Sequence, residues 1–191
     1  MILGITGGTG SGKSTLLQLI AVQGGLVLDC DAIYHRLLQT DASLLDAIAE
    51  AFPGTVENGC LDRKKLGAIV FNDEEALKKL NGITHAAVRT EVLRLLSAKP
   101  ALAAIDAIGL FEGELDGLCH MTVAVTAPVE DRIRRIMARD GISEEYARDR
   151  IAAQHSDSWF AEKCDYVLEN NGNVEDFQLK CIAFFHDSGI I

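Results

Sequence analysis

The residues best equipped to do chemistry begin at position 7. Gly7-Gly8-Thr9-Gly10-Ser11-Gly12-Lys13-Ser14, followed by Thr15, fits the pattern G-x-x-x-x-G-K-[ST] without a mismatch. The glycines let the backbone curl, so that successive N–H groups converge on an anion. The first turn of a following helix adds unpaired amides and a partial positive charge. Lys13 can reach the outer phosphates, and the Ser14 hydroxyl can ligate a magnesium ion. The spacing therefore predicts a nucleoside triphosphate site built from Gly8, Thr9, Gly10, Ser11, Gly12, Lys13, Ser14 and Thr15.

Three acids and a histidine follow at positions that suit phosphoryl transfer. Asp31 comes just after the apolar run Leu26-Val27-Leu28. A carboxylate there can take the proton of an attacking hydroxyl or hold it in line with the γ-phosphate. The same residue would also suit a helix cap for the segment from Ala32, and spacing alone does not separate the two. Asp106 ends another apolar run, where it can direct magnesium, directly or through water, or simply face solvent. Glu112, in Leu110-Phe111-Glu112, can orient substrate or cation. His35, four residues past Asp31, shares its helix face and can meet a substrate phosphate. The other histidines show no metal-like spacing.

Six of the ten arginines lie between Arg132 and Arg150. Arg132, Arg135 and Arg139 share one helix face, opposite Ile133, Ile136 and Met137. Asp140-Gly141 breaks the pattern, and a second charged helix carries Arg148 and Arg150. Two helices about a glycine make a lid whose arginines can stabilise charge on a transferred phosphoryl group. Arg132 and Arg135 are expected to pair at the surface with Glu130, Asp131 or Glu144, leaving Arg139 and Arg150 for the phosphates.

These groups need a scaffold. Short apolar runs at Ile2–Thr6, Leu26–Leu28, Leu102–Ile108, Met121–Val125 and Tyr166–Leu168 suit strands buried on both faces. Helices are expected at Ser14–Gln23, Leu44–Phe52, Asp62–Val70, from an Asn72 cap, at Thr84–Ala98, from Pro128 to Arg139, from a Ser143 cap to Gln154, and at Val174–Phe185. The alternation predicts an α/β fold: a doubly wound, five-stranded parallel sheet of the phosphate-loop NTPase type. Residues 32–100 form a helical insert and residues 132–155 a helical lid within one 191-residue domain.

Composition narrows the setting. A formal net charge of −10 argues against a basic surface for nucleic acid. No apolar run approaches the ~20 residues of a membrane span, and the immediate entry into a strand leaves no room for a signal peptide. Five scattered cysteines without a C-x-x-C pair fit free thiols in a reducing cytoplasm. Nothing marks an obligate interface, so a monomer is expected.

Taken together, the chain resembles the dephospho-coenzyme A kinase family along essentially its whole length. The matching segments are TGGTGSGKST (Thr6 to Thr15), DCD (Asp29 to Asp31), LNGITH (Leu80 to His85), GLFE (Gly109 to Glu112), VTAP (Val125 to Pro128), RD (Arg139-Asp140), RIAAQ (Arg150 to Gln154) and NNG (Asn170 to Gly172). The resemblance implies transfer of the ATP γ-phosphate to the ribose 3′-hydroxyl of dephospho-coenzyme A, the last step of coenzyme A synthesis. It implies Asp31 as base or hydroxyl-orienting residue, and Lys13 and Ser14 with magnesium on the triphosphate. It also implies Arg139 and Arg150 in the lid, Asn171 near the nucleotide base, and the insert, with His85 at one boundary, as receiver of the acceptor. The family usually has His-Pro at His85-Ala86 and Pro-Leu-Leu-Phe-Glu at Ile108-Gly109-Leu110-Phe111-Glu112, departures that bear on the acceptor pocket. A kinase for another nucleoside or nucleotide, or a catalytically silent ATP-binding relative, are the competing readings. A switch GTPase lacks its N-K-x-D motif here.

Overall fold

The computed structural model describes all 191 residues, which form two compact units. The first comprises Met1–Leu28, Lys99–Phe111 and Leu115–Ile191. Its centre is a sheet built from β1 (Ile2–Thr6), β2 (Leu26–Asp29), β5 (Ala103–Asp106), β6 (Met121–Thr126) and β7 (Tyr166–Glu169), in the order β2-β5-β1-β6-β7. β1 pairs in parallel with both β5 and β6, and β6 in parallel with β7. Ile5 aligns with Asp106, and Thr6 with Ala124, so the chain leaves β1 for the phosphate loop beside the end of β5 and two residues short of the end of β6. This is the crevice at carboxyl ends where open α/β sheets take ligands.

The central strands read as near-continuous apolar runs because both of their faces are covered. Leu3, Ile5, Ala104, Val123, Val125 and Leu168 join Leu16 and Ile20 of α1 (Lys13–Val22) and Phe177, Cys181, Phe184 and Phe185 of α9 (Val174–Asp187) in one core. A smaller core of Ile133, Ile136 and Ala147 packs α6 (Val129–Asp140) on α7 (Glu144–Ala152). Gly141 caps α6 in the left-handed conformation, φ 65°, and the Ser143 hydroxyl caps α7. The apolar stripe read from the sequence on α6 is thus the α6–α7 seam.

The second unit comprises Asp29–Ala98 and the short strap Glu112–Glu114. It is helical: α2 (Cys30–Thr40), α3 (Ala42–Ala51), α4 (Arg63–Val70) and α5 (Glu74–Leu96), with α5 packed against the other three. Aspartates start all four. The carboxylates of Asp29, Asp41, Asp62 and Asp73 each accept backbone N–H bonds from the first turn they precede.

Two local expectations are corrected. The cap of α5 is Asp73 rather than Asn72. The helices expected on either side of residue 84 are one helix of 23 residues. Gly82 lies inside it, at a cost below what tertiary packing restores, and Ala86 supplies an amide that a proline there would lack. The two-residue strands β3 (Val56–Glu57) and β4 (Cys60–Leu61) and helix α8 (Asp157–Lys163) carry too few residues to show a period, and were not foreseen.

Candidate active site

The phosphate loop runs from Gly7 to Gly12, and its carbonyl side is held by side chains. Arg132 Nε donates to the Thr9 carbonyl at 2.9 Å. Arg135 Nη1 donates to the Gly10 and Ser11 carbonyls at 3.2 and 3.3 Å. Asn170 Nδ2 donates to the Ser11 carbonyl at 2.8 Å, and Lys13 Nζ to the Gly7 carbonyl at 2.8 Å. Gln154 grips Thr9 twice: its Oε1 accepts from the Thr9 N–H and its Nε2 donates to Thr9 Oγ1, both at 2.8 Å. The C=O and N–H of one trans peptide point to opposite sides. Pinning the Thr9 and Ser11 carbonyls therefore aims the Gly10 and Gly12 amides the other way, as an anion nest requires.

Two glycines are needed here for distinct reasons. Gly12 precedes α1 at φ 104°, where a side chain would also press on Asn170 Nδ2 at 2.2 Å. Gly8 admits the Arg132 guanidinium: a Cβ there would lie 2.0 Å from Nη2. Ser11 Oγ is buried and makes no hydrogen bond within the protein. A buried hydroxyl in that state calls for a polar partner, which fits a loop made to receive phosphate oxygens.

These contacts overturn the expectation that Arg132 pairs at the surface. Arg132 is 2% exposed, and burial pushes its guanidinium down while Asp157 opposes the shift. Arg135 likewise turns to the loop and to Asn170 Oδ1. The surface pairs fall to neighbours, Arg134 with Asp131 and Arg148 with Glu130 and Glu144. Arg139 and Arg150 are brought together on Asp140, with contacts of 2.6 Å to its two oxygens. The two guanidinium groups, Arg139 first, hold the Asp140 carboxyl down at about 2.

At the end of β5, Asp106 lies in register beside Ile5, with Oδ1 buried. Ser14 is in the first turn of α1. No cluster of three or more His, Cys, Asp or Glu side chains forms a ready metal cage. A hydroxyl, a strand-end carboxylate, phosphate oxygens and water are the donor set that magnesium accepts at nucleotide sites, so the residues present fit that ion. Asn171 accepts from Lys180 Nζ at 2.7 Å through Oδ1, whereas its neighbour Asn170 reaches the loop.

In the helical unit, Asp31 sits exposed in the first turn of α2. The competing role as helix cap is taken by Asp29, whose carboxylate accepts from the Ala32 N–H at 2.9 Å. That leaves the Asp31 carboxylate with no hydrogen bond or ion pair. His35 is exposed one turn later, its ring 5.8 Å from that of Tyr34. His85 Nδ1 lies 3.1 Å from the Glu112 carbonyl oxygen. Both line a cavity of about 710 Å³ between one face of α5 and the strap, with Lys78, Ala86, Arg89 and Glu114.

Known proteins place this arrangement. A family model described as dephospho-CoA kinase matches residues 1–176. The chain belongs to the dephospho-CoA kinase family. It is 40% identical to the dephospho-CoA kinase of Thermus thermophilus over 93% of this chain and 87% of that one. It is 35% identical to that of Oryza sativa subsp. japonica over 94% of this chain and 80% of the relative. Among solved structures, TT1252 from Thermus thermophilus superposes with a TM-score of 0.82 at 37% identity, covering 98% and 97% of the two chains. Shikimate kinase from Acinetobacter baumannii, at 18% identity and a TM-score of 0.58 over 98% and 93% of the chains, shares the fold. The chain is thus a kinase of phosphate-loop architecture. Neither competing reading, another nucleoside or nucleotide acceptor or a silent relative, gains support from them.

Four residues that hold the phosphate loop escaped sequence reasoning: Arg132, Arg135, Gln154 and Asn170. Gln154 and Asn170 end and begin quoted matching segments, which was a signal without a role. For Arg132 and Arg135 the only signal was their place on the arginine face of α6.

Proposed function

We propose that this protein transfers the γ-phosphoryl group of ATP to the ribose 3′-hydroxyl of dephospho-CoA, giving CoA and ADP. The observation that carries it is the phosphate loop, clamped by Arg132, Arg135, Gln154 and Asn170 so that its amides are preset, within a chain that matches this family along its length. Gly8 to Thr15 cradle the triphosphate, and Lys13 leaves the Gly7 carbonyl for the outer phosphates. Ser14, with Asp106 through water, would hold magnesium, which when bound neutralises charge on the phosphate oxygens.

Asp31 takes the proton of the 3′-hydroxyl as its oxygen attacks phosphorus, and the bond to the ADP oxygen breaks. Its unpaired carboxylate, relieved of capping by Asp29, supports that role. Arg139 and Arg150, already gathered on Asp140, supply positive charge to the phosphoryl group in flight. Asn171 lies by the nucleotide base. The cavity of about 710 Å³ with His85 and Glu112, together with His35, receives the acceptor. The formal charge of −10 supports a protein without nucleic-acid partners, and no helix is long and apolar enough to cross a membrane; we read the protein as a cytoplasmic monomer.

An ADP-release assay with ATP, magnesium and dephospho-CoA tests the proposal, with adenosine, AMP and no acceptor as controls. Release that depends on dephospho-CoA, with CoA identified as product, is the expected result. Faster turnover of another acceptor, or none by folded protein that binds ATP, would overturn it.

A further inference from the structure

A guanidinium withdrawn from water is expensive unless its bonds are made good, and Arg132 makes them good on the phosphate loop. It is 2% exposed. Nε reaches the Thr9 carbonyl at 2.9 Å, Nη1 the Asp157 carboxylate at 3.1 Å and Nη2 the Gln154 Oε1 at 3.4 Å. Gln154 in turn holds both the N–H and the hydroxyl of Thr9. The guanidinium also lies against the backbone of Gly8, in the space a Cβ would fill. The loop crest is therefore tied to α6 through Arg132 and to the segment just after α7 through Gln154, while Asp157 of α8 holds the Arg132 guanidinium itself.

We propose that Arg132 is a positioning residue for the nucleotide phosphates, acting through the Thr9–Gly10 peptide plane, with Asp157 as its counter-charge. Its Nε fixes the Thr9 carbonyl on the α6 side, so the Gly10 amide is held facing the opposite side before any nucleotide arrives. A loop free to rotate that peptide would spend binding energy on ordering it, and the preset amide removes the cost. Arg135 does not duplicate this tie, because it holds the next two carbonyls. Gly8 is the permissive partner, since only a residue without Cβ lets the planar guanidinium reach Thr9. The inference rests on the kinase reading only in taking this loop as the site of the ATP phosphates.

The test separates phosphate recognition from folding. Dissociation constants for ATP, ADP and adenosine are measured by calorimetry on wild type, Arg132→Met, Arg132→Lys, Gly8→Ala and the Gly8→Ala/Arg132→Met double variant, with melting temperatures alongside. Arg132→Met is expected to weaken ATP about tenfold or more, the scale of one buried charge-assisted hydrogen bond, and adenosine by less than about twofold. Arg132→Lys, able to make one of the three contacts, recovers part of the loss. Gly8→Ala reproduces it by displacing the guanidinium, and the double variant is no worse than the poorer single one. An ATP-to-adenosine affinity ratio that stays at the wild-type value while melting temperature falls would assign Arg132 to folding alone and overturn the proposal. Additive losses in the double variant would overturn the Gly8 link. Wild type that binds ATP no better than adenosine would instead strike at the kinase reading.

Discussion

Arg150 and Arg139 meet on a single oxygen: Oδ2 of Asp140 accepts from Arg150 Nη1 at 2.6 Å and from Arg139 Nη2 at 2.9 Å. Arg139 closes the fork through Nε to Oδ1 at 2.6 Å. One carboxylate at the α6–α7 break thus gathers two cations from two helices. Like charges do not assemble unaided, and the bidentate bond restricts the Arg139 side chain ahead of any ligand.

If Arg139 acts on the phosphoryl group in the transition state, Arg139→Ala should lower turnover by about 10²–10³-fold, the scale of one lost electrostatic donor. The KM for ATP should change much less. Steady-state kinetics at saturating dephospho-CoA decide it, and a change confined to KM counts against the role.

The same cluster sets a pH expectation. Asp140 is held at about 2, below its ordinary 3.8. A carboxyl with a depressed folded pKa contributes stability fully above the unfolded value and loses it as pH falls through the folded one. The Asp140 contribution is therefore constant above about pH 5 and fades only toward pH 2. Any limb in the pH–rate profile between pH 5 and 9 should persist unchanged in Asp140→Asn. Its disappearance in that variant would contradict the assignment.

Asp31→Ala should leave the dissociation constant for ATP near wild type and depress turnover by at least ~100-fold, the low end for a positioned acid–base group. Full activity would remove Asp31 from the reaction. His85→Ala should act on the other substrate, raising the KM for dephospho-CoA about tenfold through the lost tie to the Glu112 carbonyl. The KM for ATP should hold, and product-verified assays with each substrate varied separate the two.

Thiol chemistry offers a check on the core. Cys60 is exposed at the start of β4, whereas Cys30 and Cys181 are buried. Burial pushes Cys119 up to about 12 and Cys164 and Cys181 up to about 11. Native protein treated briefly with iodoacetamide at pH 8 should carry one adduct, at Cys60, by peptide mass spectrometry. Phe184→Ala, which empties a fully buried site packed on the Tyr166 ring at 4.8 Å, should cost about 3–5 kcal/mol in denaturant unfolding.

Much of the scaffold was legible because its signals are local. The apolar runs of β1, β5 and β6 reflect burial on both faces, and the Asp62 and Ser143 caps follow from one side chain answering nearby amides. Where two local signals competed, tertiary packing chose: α5 runs through Gly82 because its Thr84, Val88 and Val92 face is buried against other helices. Asp73 rather than Asn72, and Asp29 rather than Asp31, took the caps because phase along the chain, which composition does not carry, decides which side chain meets the first-turn amides.

The sequence by itself determined the nature of the reaction: a phosphate loop, a carboxylate after the second strand and arginines beyond residue 130 name phosphoryl transfer from residue types and spacing alone. Only the tertiary structure decided what each arginine does. Arg132 and Arg139 lie on one helix, yet one is buried against a loop 123 residues away in sequence and the other rests on its neighbour. The helical period says which residues share a face. What that face meets is set by how the chain returns to the sheet edge, and only there does a buried guanidinium find its carbonyl.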